Sequence, residues 1–237
     1  FTVKNKTLWK QVGAAAIAAA MVMSTVPATP VQAAGGKTLA VSSQKQLNQA
    51  LKTVKGKNAV ITVKAGKNVK ITIPKGTYKV TIRVVGKKAA VVNNGTVKEI
   101  VVNSKGTVAI KNNGTIKKVT VQNAKSVSFS GNHKKAVPVV VNAEDVSMIL
   151  AAPAKITAKK DVNIVLKKGA EKSSITCTKN VQAQVDNQTK KAISVKIADG
   201  TTLKVESGES CTITPKGKKE DTSGEDKTDE KDKTDGT

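Results

Sequence analysis

Few side chains in this sequence could carry chemistry, and their spacing limits what that chemistry would be. Glu144 and Asp145 form the adjacent acidic pair of the central region, and Asp161 follows one short repeat later. Two carboxylates brought together across a repeat would equip a glycoside hydrolase. Acids capping turns on a lysine-rich surface are the simpler assignment, and calcium would need six or more oxygens that nearby residues do not supply. His133, in Gly131-Asn132-His133-Lys134-Lys135, is the single histidine and reads as a solvated loop residue. One histidine leaves no His-based zinc cluster and argues against a nucleophile–His enzyme. No catalytic residue, metal ligand or cofactor is assigned.

Lysine dominates what remains. The 237 residues hold 41 Lys+Arg against 17 Asp+Glu, a formal net charge of +24, with only 2% aromatics. The stretch from Lys218 to Thr237 holds 8 acids and 5 lysines, so the excess belongs to the middle of the chain. Lys79, Lys98 and Lys117 recur at a spacing of 19 residues and are the candidate polyanion contacts. Stacked about 4.8 Å apart, each such pair repels by roughly 1 kcal/mol before screening, which a solvated face tolerates or a bound polyanion relieves. Arg83 is the only arginine. With so few arginine forks and stacking aromatics, sequence-specific nucleic-acid recognition is not expected.

The elements that must position these lysines follow from the pattern. Lys4, Lys6 and Lys10 precede an uncharged run from Val12 to Met23, then Pro27, Pro30 and Val31-Gln32-Ala33. This reads as a signal peptide over residues 1–33 rather than an uncleaved anchor, because the run is short for a membrane span. Residues 34–56 hold a short extended segment at Thr38–Val41 and an amphipathic helix over Ser43–Lys55. Ser43 and Gln46 form a capping-box pattern, and Leu47, Ala50, Leu51 and Val54 make one buried stripe. Residues 57–216 switch to short alternating Val/Ile/Thr runs. Gly76-Thr77, Gly95-Thr96 and Gly114-Thr115 share the 19-residue period with Asn94, Asn113 and Asn132.

A sandwich has no reason to keep residue types at a fixed period, whereas stacked rungs do. The fold expected is an all-β parallel β-solenoid of roughly eight rungs, closed at its N-terminal end by the helix. Its core columns would be Val108/Val127/Val146 and Ile110/Phe129/Met148, with Val102, Val121 and Val140 opposite. Asn94, Asn113 and Asn132 would form a structural ladder. Residues two rungs apart lie near 9.6 Å, beyond the roughly 4.4–6.8 Å of a disulfide. Cys177 and Cys211, 34 residues apart, would therefore need an irregular last rung to pair, and a bridge or two buried thiols both stay open. Residues 217–237 lack apolar side chains and read as a disordered charged linker. The start at Phe1 and the end at Gly236-Thr237 suggest further sequence on either side.

The "VSSQKQLNQALKTV" helix followed by stacked Val/Ile strands and an Asn column resembles right-handed parallel β-helix proteins of the pectate-lyase-like superfamily. It is also similar to β-helical surface proteins of Gram-positive bacteria. The resemblance implies polysaccharide binding or cleavage. In the lyases it further implies clustered Asp on calcium and an Arg base, from which this sequence departs. The function expected is an exported, monomeric, non-enzymatic surface or wall module without a membrane span. Its lysine-rich face would contact anionic polymer, namely teichoic acid, acidic polysaccharide or extracellular DNA. A β-helix lyase or hydrolase is the alternative from another class, and a spacer for a further domain is the third.

Overall fold

The computed structural model describes residues 37–64 and 69–222, which fall within one compact unit; the expected signal segment lies outside them. Two long sheets wind together as a parallel β-solenoid of about 8 turns. The first sheet begins with Lys37–Val41, Ala59–Val63, Val80–Val84, Glu99–Asn103 and Val119–Asn123. It continues through Val137–Val141, Ala154–Ala158, Ser174–Cys177 and Ile193–Lys196. The second begins with Val69–Ile73, Lys88–Asn93, Thr107–Asn112 and Ser126–Ser130, then Val146–Leu150, Val162–Leu166 and Ala183–Asn187. Thr96–Val97 and Thr115–Ile116 pair as a short third sheet at one corner.

The core is a double column of branched side chains. In the first sheet Ile61, Ile82, Ile100, Val119, Val139, Ile156, Ile175 and Val195 stand in register. In the second, Ile71, Val91, Ile110, Phe129, Leu150 and Leu166 do. Each of these is at most 1% exposed, so a narrow interior closes with one aromatic ring. Fully burying such a side chain stabilises by about 1.5–3 kcal/mol, repeated on every rung.

The expected columns need correcting at one rung. Val127 pairs with Met148, and Phe129 with Leu150, not with Val146 and Met148. The corner before Val137 and the corner at Asn142–Asp145 each hold one extra residue, the second taken up by Asp145 at φ 52°. Strand side chains alternate with period two, so two single insertions restore the inward parity. Val146 and Met148 are therefore both buried despite the changed partners. In the first sheet only one insertion has accumulated, which places Val141 over Val121 and turns Val140 outward beside Thr120.

Both ends are closed by local chemistry. Helix Gln44–Thr53 is capped by the Ser43 hydroxyl, which accepts from the Gln46 N–H, while Gln46 Oε1 accepts from the Ser42 N–H at 2.7 Å. Its buried face is Leu47, Ala50 and Leu51, with Val54 at the C-cap also buried. The Gln44 carboxamide acts as one more strand: Thr72 N–H donates to Gln44 Oε1 at 2.6 Å and Gln44 Nε2 donates to Thr72 O at 2.8 Å. That satisfies part of an edge that would otherwise recruit another chain.

At the far end the parallel register stops. Thr202–Val205 lies antiparallel on Ile193–Lys196, and Ser210–Ile213 antiparallel on Ala183–Asn187. Lys219–Asp221 pairs in turn with Ser210–Ile213, so ordered pairing runs past the boundary expected at residue 216.

Candidate polyanion-binding surface and the clustered side chains

Lys79, Lys98 and Lys117 are exposed at the corner where the short third sheet forms. Gly95 and Gly114 make this corner tight, since a Cβ at Gly95 would sit 2.5 Å from Pro74 O and one at Gly114 would strike Gly95 O. The rungs therefore stack backbone on backbone here, and the lysine side chains leave from adjacent levels. Lys117 N–H donates to Val97 O at 3.2 Å, which keeps Lys117 above Lys98.

A second basic edge lies at the opposite corner. Lys87, Lys105 and Lys125 are exposed there, with Thr107 N–H on Lys87 O at 3.0 Å and Lys125 N–H on Gly106 O at 2.9 Å. Their unequal spacing hides them from a search at one fixed period. Charge is also graded along the axis. Residues 37–143 hold 21 Lys+Arg and one acid, Glu99, whereas residues 144–222 hold 14 Lys+Arg and 10 acids. The net is +20 for residues 37–143 and +4 for residues 144–222.

Glu144, Asp145 and Asp161 do meet, in an open corner cavity of about 460 Å³ shared with Lys159, Lys160 and Lys179. Glu144 and Asp161 each have a partner there. Lys160 Nζ lies 2.8 Å from Glu144 Oε1, and its hydrogen bond and charge hold the Glu144 carboxyl below its usual range. A glycosidase acid needs the opposite shift. Asp161 Oδ1 accepts from the Gln182 N–H at 2.8 Å, capping the next corner. Among the described residues no group of three or more His, Cys, Asp and Glu side chains is arranged to hold a metal ion.

His133 is a correction. It is half-buried, with Nδ1 3.1 Å from Asn112 O, Nε2 2.9 Å from Pro153 O, and its ring 5.1 Å from that of Phe129. A neutral ring has one N–H and donates it to one of these two carbonyls, tying its own rung to the one below or the one above, and these carbonyl neighbours are invisible in sequence. The asparagines divide likewise. Asn113 Nδ2 donates to Asn94 Oδ1 at 3.0 Å on the exposed corner, while Asn132 bonds through its backbone N–H to Asn112 O. A buried pair stands one residue earlier, Asn93 Nδ2 donating to Asn112 Oδ1 at 2.8 Å.

Cys177 and Cys211 are free, buried thiols on different sheets. Burial pushes both up to about 11. At pH 8 both stay protonated in the folded chain, so alkylation should be slow until denaturant is added and then take two labels. Mass spectrometry checks this, and two rapid labels on native protein would contradict it.

A scan against protein-family models and searches of curated proteins and of solved structures found no match to this chain. The fold itself defines the class, a parallel β-solenoid with one capping helix. Among the described residues no helix is long and apolar enough to cross a membrane.

Proposed function

We propose that this chain is an exported, non-enzymatic surface or wall module that binds anionic polymer along the basic rungs of its solenoid. One observation carries the reading: residues 37–143, which span the capping helix and the N-terminal rungs, hold 21 basic residues against a single acid. Solubility asks for far less charge than this. A rigid body that repeats lysines at every level suits a linear polyanion better than a compact ligand. The basic start and Val31-Gln32-Ala33 support export, and the solenoid with its helical cap supports kinship with pectate-lyase-like and Gram-positive surface β-helix proteins. The paired state of Glu144 and Asp161 favours binding over cleavage.

The test is a titration of the chain with polygalacturonate, with teichoic acid and with a neutral glycan at low and physiological salt. Several lysine contacts release counterions, so affinity for the polyanions should fall by about 10³-fold between the two salts. Equal affinity for the neutral glycan, or no polyanion binding at low salt, would leave the spacer reading in its place.

A further inference from the structure

The buried asparagines differ in how they spend their donors. Asn93 Nδ2 reaches Gly95 O at 2.9 Å as well as Asn112 Oδ1. Asn187 Nδ2 donates to the carbonyls of Lys191, Val205 and Glu206 at 2.9–3.0 Å. Asn112 Oδ1 is used by Asn93, but Asn112 Nδ2 is buried without a hydrogen-bond partner, and the residue is 0% exposed. The cause lies one rung on. The position that would continue the ladder is Gly131, where a Cβ would strike the Asn112 backbone, so no side chain can stand there. An orphaned buried amide costs about 1–3 kcal/mol and demands an acceptor from somewhere.

Asn112 lines a cavity of about 310 Å³ with Thr115, Ile116, His133, Lys134 and Lys135. No carboxylate lines it, and both lysines are exposed at its rim. The His133 ring sits between the Asn112 and Pro153 carbonyls, with one ring nitrogen within 3.1 Å of each, and so forms part of the wall. The cavity thus has the orphaned Asn112 amide in its wall and two cationic donors at its rim. That set excludes a cation and fits an anionic oxygen.

We propose that this cavity seats one carboxylate or phosphate group of a bound polyanion, with Asn112 Nδ2 as the inner donor and Lys134 and Lys135 closing over it. The seat rests on the polymer-binding reading and adds a fixed register to it: the edges attract the chain, and this cavity fixes one of its anionic groups.

The experiment uses the full chain labelled with ¹⁵N, following the side-chain amides during titration with inorganic phosphate and, separately, with galacturonate. The Asn112 amide should shift saturably, with a smaller shift at Asn93, whose Nδ2 donates to Asn112 Oδ1, while that of Asn187 stays in place. The tighter of the two probes identifies the group that is seated. The double variant K134Q/K135Q, with both sites on the surface, should keep the spectrum and weaken the response by about tenfold. An Asn112 amide unmoved at high concentrations of both probes, as a trapped water would leave it, overturns the seat. The two readings fail separately. Polymer binding with a silent Asn112 removes the seat alone, whereas a response to small anions without polymer binding supports the seat and removes the polymer reading.

Discussion

Val127→Asp should abolish cooperative folding of the central rungs. Val127 is 0% exposed, packed in register between Val108 and Met148. A carboxylate there would face stacked hydrocarbon with no cation in reach, and a lone buried charge costs on the order of 3–5 kcal/mol. Solenoid stability is a sum of rung and nearest-neighbour terms, so the damage falls on the adjoining rungs first. Hydrogen exchange should show the strands Thr107–Asn112 and Val146–Leu150 losing protection together. Ser128→Asp, one residue on and facing outward opposite Ala109, should change stability by no more than about 0.5 kcal/mol. Equal melting of the two variants would contradict the inward and outward assignment on which the core rests.

The parts of this fold that are legible in the sequence are those whose residue types the stacking dictates. Gly95 and Gly114 recur because a Cβ would enter the rung below, and Ser43 with Gln46 marks the helix start because a first-turn N–H needs the Ser43 hydroxyl as its acceptor. The rung that slips was illegible because two single insertions cancel in parity, leaving Val146 and Met148 equally apolar and equally buried. The buried Asn93–Asn112 pair had a readable signal. Each continues the inward alternation of its strand, after Ala89 and Val91 in one and Val108 and Ile110 in the other. The antiparallel closing strands carry no such periodicity. The partners of His133 are backbone carbonyls, which no residue type announces. For the surface, the column Lys79, Lys98 and Lys117 shows at fixed spacing, whereas the edge Lys87, Lys105 and Lys125 needs the register of the sheets.

The largest effect on binding should come from where the charge sits along the axis. Replacing Lys79, Lys87, Lys98, Lys105, Lys117 and Lys125 with Gln removes both basic edges from the N-terminal rungs, where Glu99 is the only acid. All six are exposed, so the fold should persist and gain slightly from relieved like-charge repulsion. If most of the six meet anionic groups, affinity for polygalacturonate at low salt should drop by about 10²–10³-fold and the salt slope should flatten by several units. A matched set of Lys155, Lys159, Lys168, Lys172, Lys190 and Lys204 to Gln removes the same charge from the C-terminal rungs, which already carry 10 acids.

The direct measurement is the polygalacturonate affinity of these two variants side by side at several salt concentrations, with circular dichroism confirming that both fold. The N-terminal set should lose nearly all binding while the C-terminal set loses less than about tenfold; equal losses from the two sets would show that net charge alone attracts the polymer and would contradict a binding surface built into the N-terminal rungs.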